Sequence, residues 1–197
     1  MGFVVFKRLL AGLGLALLAA PSAQAANHGW YWGIEAGIDR PGSISEHEHG
    51  ILHAQVYDFD LGPAAVVTLG GYLGPQLRIE AELGYRADLF SGYRDGWSDG
   101  SLMANVVYEM PFGENMTASI GGGIGAGVVA NSSQSDVGLA YQFLAGLAWA
   151  IAPHTDLTLQ LRYTTVSGPT FDSGGVGPLD YSDLHHQSAM IGLRFAL

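Results

Sequence analysis

The segment that most constrains the fold is a strict alternation of apolar and polar residues between Leu77 and Arg86, which reads LRIEAELGYR. Its odd positions are all apolar, and its even positions carry four charges and one glycine. Such a period of two is typical of a β-strand, because successive side chains of a strand point to opposite faces. A soluble sheet would bury the apolar face, whereas a transmembrane barrel would turn that face to lipid and the charges to its lumen.

The N-terminus has the pattern of a secretory signal peptide. Two basic residues, Lys7 and Arg8, precede an apolar run, and the small-residue motif AQA follows at residues 23–25. We therefore predict a signal peptide at residues 1–25 and one mature domain, the barrel, at residues 26–197. The apolar run is too short for a membrane-spanning helix, which needs about 20 residues.

The composition excludes several classes of function. The chain has 18 acidic and 8 basic residues, a net charge of −10, and removal of Lys7 and Arg8 with the signal peptide makes it −12. No lysine then remains, so the chain lacks the clustered positive charge that nucleic-acid binding needs. The absence of cysteine excludes disulfides, thiolate metal ligands and thiol chemistry.

Seven further segments alternate in a similar way, which gives eight predicted strands of about 10 to 13 residues. The connections after the second, fourth and sixth strands are short, and the others are mostly longer and acidic. An even strand number, short turns on one side and long loops on the other are typical of an outer-membrane barrel. The predicted strands cover residues 30–39, 64–74, 77–86, 101–110, 116–129, 139–151, 156–164 and 188–197.

In such a barrel the polar faces of the strands would fill the lumen. The interior of an eight-stranded barrel has room for side chains and little else. Because buried charges need partners, we predict a paired network that plugs the lumen, with an ion path along the same charges as the alternative. The predicted members are Glu35, Glu80, Glu82, Glu109, Asp156, Arg78, Arg86, Arg162 and Arg194.

Aromatic residues near the strand ends favour lipid on the apolar side, because transmembrane barrels carry aromatic girdles at both interfaces. The rival fold is a soluble eight-stranded barrel of the lipocalin kind, in which the apolar face lines a ligand cavity. That fold does not account for four alternate glycines opposite the apolar face of the fifth predicted strand. We therefore predict an all-β, eight-stranded, antiparallel up-and-down transmembrane β-barrel.

Several segments resemble the small outer-membrane β-barrel family, which includes the OmpA-type transmembrane domain and the opacity-type surface proteins. These segments are WYWGIEAGID, LRIEAELGYR, AYQFLAGLAWAIAP, LTLQLRYTT and MIGLRFAL. The resemblance implies a location in the outer membrane. It also implies that the barrel-assembly machinery reads the last strand through Gly192, Phe195 and Leu197, although Leu197 stands where the family has a terminal aromatic residue.

Two groups of residues are candidates for chemistry. His186 and Ser188 share a face of the last predicted strand, where an imidazole could activate a hydroxyl, and outer-membrane lipid A deacylases look similar in using a His-x-Ser pair. His47 and His49, with His53 nearby, have a spacing usable for zinc, copper or nickel. The alternatives are a non-catalytic pair in the lumen and incidental histidines in a polar loop. We predict no catalytic, metal or cofactor site.

The predicted loops are strongly acidic, with 12 carboxylates against Arg40 and Arg94. This acidity either keeps the loops solvated beside lipopolysaccharide, with divalent cations as bridges, or recognises a basic partner or host surface. Aromatic anchors for such a partner would be Tyr93, Trp97, Phe171 and Tyr181. The acids are Asp39, Glu46, Glu48, Asp58, Asp60, Asp88, Asp95, Asp99, Asp136, Asp172, Asp180 and Asp183.

The sequence as a whole favours a monomeric, non-enzymatic outer-membrane barrel with a structural or surface-exposed role. Its expected partners are outer-membrane lipid, lipopolysaccharide and the barrel-assembly machinery, with no nucleic acid and no cofactor. An adhesion or host-interaction barrel that acts through its loops is the main alternative. A lipid A-modifying enzyme and a small pore are the others.

Overall fold

A computed structural model describes residues 29–42, 44–47, 56–57, 59–90, 97–130, 135–168, 170–172 and 178–197. The predicted signal peptide lies outside these residues. The strands are β1 (Trp30–Pro41), β2 (Ile44–His47), β3 (Val56–Tyr57), β4 (Phe59–Asp60), β5 (Gly62–Tyr72), β6 (Leu77–Phe90), β7 (Trp97–Phe112), β8 (Met116–Ala130), β9 (Ser135–Ala152), β10 (Thr155–Val166), β11 (Thr170–Asp172), β12 (Pro178–Tyr181) and β13 (Leu184–Ala196). Among the described residues, no helix is long and apolar enough to cross a membrane.

Eight of these strands close into an antiparallel barrel in the order β1, β5, β6, β7, β8, β9, β10 and β13. The first and last strands pair with each other, from Tyr31 opposite Ala196 to Pro41 opposite His186, and this pairing completes the ring. All connections between barrel neighbours are therefore up and down. The predicted fold class is confirmed.

Several barrel strands are longer than the sequence predicts. The strand β7 begins at Trp97 and not at residue 101, β9 begins at Ser135 and not at 139, and β13 begins at Leu184 and not at 188. These extensions pair with their neighbours, as Trp97 does with Asp88. Backbone pairing thus continues beyond the apolar belt, and the loop-side boundaries predicted from hydrophobic alternation were wrong.

The register fixes the stagger of the barrel. When the paired residues are followed once around the ring from Arg40, the path returns to β1 at Trp30, ten residues away. With a rise of about 3.4 Å per residue and a strand spacing of about 4.8 Å, this stagger corresponds to a tilt of about 40°. The path runs through Gln187, Tyr163, Phe143, Gly122, Val106, Ile79 and Gly71.

The two faces of the barrel wall are inverted relative to a soluble protein. Outward side chains such as Leu102 and Phe143 are 62% and 65% exposed, whereas the inward Glu82 and Arg86 are each 1% exposed. A lipocalin-like barrel would show the opposite arrangement, because its charged face is solvated. The structure therefore rejects the soluble alternative and supports lipid contact for the apolar face.

Two aromatic girdles frame the apolar belt. We call the barrel end with the three short connections (73–76, 113–115 and 153–154) the turn end, and the opposite end the loop end. At the turn end, Trp32 stacks on Phe195 with ring centroids 4.5 Å apart. The turn-end girdle also includes Trp30, Tyr108, Phe112 and Trp149, and the loop-end girdle consists of Tyr85, Tyr141 and Tyr163.

Glycines make room for large side chains in the lumen. A Cβ on Gly70 would overlap the ring of Tyr31, and a Cβ on Gly123 would overlap the side chain of Asn105. The alternate glycines of β8 therefore lie where neighbouring strands send bulky groups inward, as expected for a narrow barrel.

Candidate functional site

The polar side chains of the lumen form three layers along the barrel axis, and these layers are the candidate site. The turn-end tier consists of Tyr31, Tyr72, Arg78, Glu80, Glu109, Asp156 and Arg194. The middle tier consists of Glu35, Glu82, Asn105, Gln142, Thr158 and Arg162. The loop-end tier consists of Asp39, Arg86, Asp99, Ser101, Thr164, His186 and Ser188.

The turn-end tier centres on Glu109, which pairs with two arginines from different strands. Arg78 Nη1 donates to Glu109 Oε1, and Arg194 Nη1 lies 2.7 Å from the same oxygen. Arg194 also contacts Asp156, with Nη2 2.8 Å from Oδ2. Charge-assisted contacts of this kind are the strong ones, and here they tie β6, β7, β10 and β13 together across the lumen.

The middle tier centres on Arg162. Its Nη2 lies 2.5 Å from Glu35 Oε2, and its Nη1 donates to Glu82 Oε2. The two oxygens of Glu82 also accept from Asn105 Nδ2 at 3.0 Å and from Gln142 Nε2 at 3.2 Å. The carboxylate is thus saturated by donors, which is the condition under which buried charge is tolerated.

The loop-end tier holds a histidine between two carboxylates. His186 Nδ1 lies 2.6 Å from Asp39 Oδ2, and His186 Nε2 lies 3.2 Å from Asp99 Oδ2. Ser188 Oγ donates to Asp39 Oδ1, and Arg86 Nε lies 3.7 Å from that oxygen. His186 Nδ1 is thus at hydrogen-bond distance from Asp39, and Nε2 is at ion-pair distance from Asp99.

The predicted lumen network is confirmed, and it is larger than predicted. All nine predicted members face inward and are paired. The assignment of Asp39 and Asp99 to the acidic loops was wrong, because both are at most 2% exposed and lie in the loop-end tier. Their inward parity with Glu35 and Ser101 is visible in the sequence, and it would have identified them. Both residues belong to strands, since β1 and β7 extend toward the loop end beyond their alternating apolar segments.

The His-x-Ser pair does not have the geometry of an activated serine. His186 and Ser188 share the inward face, as predicted, but the Ser188 hydroxyl donates to Asp39 and not to the imidazole. Nucleophilic activation needs a hydrogen bond between the hydroxyl and the base. Both residues are also at most 4% exposed. Sequence reasoning found no acid near the pair, because Asp39 comes from the far end of the chain.

The network fills the lumen toward the loop end. Thr164 Oγ1 donates to Gln142 Oε1 at 3.3 Å and accepts from Arg86 Nη2 at 3.2 Å, so the middle and loop-end tiers interlock. A cavity of about 30 Å³ between the turn-end and middle tiers is lined by Arg162 and Glu35 among others, which is room for one or two water molecules. At the turn end a vestibule of about 320 Å³ opens beneath Arg194.

The loop end carries a small second sheet outside the barrel. Its strand order is β11, β12, β2 and β3, so the first and last loops are joined by backbone pairing. Within it, His47 lies opposite Asp180. The side chains of His47, Trp97, Phe171 and Tyr181, and all of His49, His53 and Tyr93, lie outside the described residues.

No group of three or more His, Asp or Glu side chains suited to a metal ion occurs in the described part of the chain. A metal site at His47 and His49 is not tested, because the side chain of His47 and all of His49 lie outside the described residues. The assignment of Asp88 and Asp136 to the loops was also wrong, because they belong to the barrel strands β6 and β9. The remaining predicted loop acids belong to the short strands, to the exposed position of Asp183, or to segments outside the described residues.

Comparison with known proteins gives a family match. The model of a family described as the outer membrane protein beta-barrel domain matches residues 9–195. No curated protein matches the sequence significantly.

Three solved structures have the same barrel architecture. Neisserial surface protein A (NspA) is 13% identical, with a TM-score of 0.65 over 86% of this chain and 97% of its own. The outer membrane protein OprG from Pseudomonas aeruginosa is 14% identical, with a TM-score of 0.56 over 89% and 99%. The outer membrane protein AlkL, determined in DMPC lipid bilayers, is 14% identical, with a TM-score of 0.54 over 90% and 95%. At these identities the similarity shows the fold and nothing more.

Proposed function

The chain belongs to the outer membrane protein β-barrel domain family, and from that membership we propose that it is a non-enzymatic, monomeric, structural component of the outer membrane. Membership of this family implies an outer-membrane location, with the turn end in the periplasm and the loop end outside the cell. The observation that carries the proposal is the lumen network. Three tiers of ion pairs, of which the middle and loop-end tiers interlock, occupy the interior that a pore would need to keep open.

Planar bilayers test the structural role against the small pore. The purified, refolded barrel should insert without reproducible single-channel steps, because Arg86, Gln142 and His186 are each at most 2% exposed and fill the lumen. Insertion is verified separately by the heat-modifiable band described below. Reproducible conductance steps from folded protein would contradict the proposal and favour the pore.

The absence of catalysis is supported by the contacts of Ser188, whose hydroxyl donates to Asp39. In a strain that expresses the protein, Ser188→Ala should leave the acylation of lipid A unchanged, as mass spectrometry of the extracted lipid would show. A change that depends on Ser188 would overturn the non-enzymatic proposal and favour a lipid A deacylase.

A second candidate function, adhesion through the loops, is favoured by the small sheet at the loop end. Pairing of β12 with β2 gives the first and last loops a common backbone framework, which is how a scaffold holds a binding surface in place. Replacing residues 43–60 and 169–181 with short Gly-Ser turns should abolish cell or matrix binding while the barrel still assembles. Retention of binding by this loop-less barrel would exclude the loops as the binding surface.

The proposed route to the membrane is the barrel-assembly machinery, which would read the last strand. In support of this, Phe195 and Leu197 lie at or beyond the turn end of β13, Gly192 precedes them on the same strand, and Phe195 faces outward against Trp32. Phe195→Ala should lower the amount of folded barrel in the outer membrane, measured by immunoblot of membrane fractions.

A further inference from the structure

Among the described strand residues, the outward charged, imidazole and amide side chains at the loop end cluster on one side of the barrel. Arg40 on β1 lies opposite Gln187 on β13, and Gln187 lies opposite Tyr163 on β10. His185 lies two residues from Gln187 on the same face of β13. We call these four residues the Arg40 patch, and the three adjacent strands hold them as neighbours. Directly opposite residues have Cβ atoms about 5 Å apart, and diagonal ones about 7–8 Å.

Apart from the tyrosines of the loop-end girdle, the described outward positions of the remaining strands carry no charged, imidazole or amide group at this height. When the strand tilt is taken into account, the outward positions level with Arg40 are occupied by small or apolar residues. These residues are Pro63, Ala87, Gly100, Val128 and Leu139. The Arg40 patch is therefore a local feature of the β1–β13–β10 wall and not part of a continuous polar rim.

The patch lies at the boundary between the apolar belt and the loops. Immediately below it, toward the turn end, Ile38 and Leu161 are 54% and 58% exposed, as expected for lipid contact. Above it begins the segment with Asp183, whose carboxylate accepts from the Gly168 amide at 3.0 Å. Outward side chains at this boundary meet the headgroups of the outer leaflet.

Arg40 differs from the four arginines of the lumen in its surroundings. It is exposed, and it makes no ion pair with any residue that the structure describes. Its planar fork can hold a phosphate through two parallel hydrogen bonds. An exposed arginine at headgroup height, with no ion pair to the described residues, thus has the chemistry for a phosphate-bearing lipid.

His185 is fixed in orientation by two neighbours. Its Nδ1 lies 3.0 Å from Thr165 Oγ1, and its ring stacks on Tyr163 with an interplanar angle of 19°. When Thr165 donates to Nδ1, the ring proton lies on Nε2, which can then donate to a phosphate oxygen. Gly42 pairs with His185 across the strand pair, where its amide donates to the His185 carbonyl at 2.7 Å.

We propose that the Arg40 patch binds a phosphate group of lipid A in the outer leaflet. Arg40 supplies the charge and the bidentate contact, while His185 and Gln187 add neutral donors. The surrounding wall is apolar, so the acyl chains of the same lipid pack against Ile38 and Leu161. The proposal depends on the outer-membrane location, but it is independent of whether the barrel is structural or adhesive.

Native mass spectrometry of the folded barrel in detergent micelles tests the proposal directly. The titrants are bis-phosphorylated lipid A, the same lipid A without phosphates, and phosphatidylglycerol. The phosphorylated form should bind, and each of the other two should bind about tenfold more weakly. Lipid A without phosphates offers no anion to Arg40, and the phosphodiester of phosphatidylglycerol carries one negative charge where a phosphate monoester carries up to two. Equal binding of the dephosphorylated lipid, or of phosphatidylglycerol, would overturn the proposal.

Variants locate the binding to the patch. Arg40→Gln and His185→Gln should each weaken binding of phosphorylated lipid A, by about tenfold and about threefold respectively, and Arg40→Lys should restore part of the loss. His154→Gln, at an exposed histidine in a turn-end connection, is the matched control and should bind like the parent. Unchanged binding by a folded Arg40→Gln barrel would overturn the proposal. If that variant does not fold, the comparison of the three lipids on the parent protein still tests whether the barrel binds the phosphate of lipid A.

Discussion

Arg162 shows how one charged side chain is accommodated in the interior of this barrel. It lies on β10, and its fork reaches Glu35 on β1, two strands away, and Glu82 on β6, the strand directly across the lumen from β10. A lysine could not make both contacts with planar geometry, because its ammonium is a point charge on a flexible stem. This difference explains why the barrel segment uses arginine and contains no lysine.

Replacement of Arg162 by methionine should destabilise the barrel by about 3–5 kcal/mol, because it leaves two buried carboxylates without their common partner. Urea unfolding of the barrel in detergent micelles, followed by tryptophan fluorescence, measures the loss. The triple variant Arg162→Met, Glu35→Gln, Glu82→Gln removes all three charges and should recover most of it. A loss below about 1 kcal/mol in the single variant would contradict the proposed role of the ion pairs.

At the residue scale, the sequence predicts which side chains face inward but not which of them touch. Parity correctly places Glu82 and Arg162 in the lumen, yet they are 80 residues apart in the chain. Their contact depends on the stagger of ten residues around the ring, which hydrophobic alternation does not contain. The contact between Asp39 and His186 was not predicted for the same reason, because hydrophobic alternation does not determine the register between β1 and β13.

At the scale of the strand, β13 shows the two environments that each element spans. Its inward face carries His186, Ser188 and Met190, all buried, whereas its outward Ile191 is 58% exposed. The alternation of the sequence predicted this division. The start of the strand at Leu184 was not predicted, because Leu184 is an apolar residue on the inward face, where it is buried against Val166 and interrupts the pattern of polar residues on that face.

Position along the strand should determine the cost of an outward charge. Ile191→Arg places a cation near the middle of the apolar belt and should cost about 2–4 kcal/mol, whereas Gln187→Arg, on the same face near the loop end, should cost about 1 kcal/mol or less. Urea unfolding in lipid vesicles gives both values. Equal costs at the two positions would show that the outward face of β13 does not meet a bilayer.

At the scale of the whole molecule, the barrel depends on contact between its first and last strands. β1 and β13 are the chain-terminal strands of the barrel, and eleven paired positions join them. Every other pair of neighbouring barrel strands is consecutive along the barrel, so closure of the barrel requires both its first and its last strand.

Closure predicts a cooperative resistance to detergent. Unboiled protein in sodium dodecyl sulfate should migrate faster than boiled protein, because the closed barrel stays compact until it is heated. Removal of residues 184–197 should abolish the fast band, since β1 and β10 then lose their shared neighbour. A matched deletion within the loop at residues 48–55 should preserve it. A mobility unaffected by boiling in the full-length chain would contradict a closed barrel.

The alternation that makes the barrel wall also governs how such a chain can travel. In β6, every second residue between positions 77 and 86 is charged or a glycine. The strand therefore contains no continuous apolar segment. A translocation channel that sorts helices by hydrophobicity would therefore pass these segments through an inner membrane instead of releasing them into it. A continuous apolar surface forms only when neighbouring strands pair and their apolar faces all point outward. Affinity for the membrane is thus a property of the folded barrel. The unfolded chain does not have it during translocation.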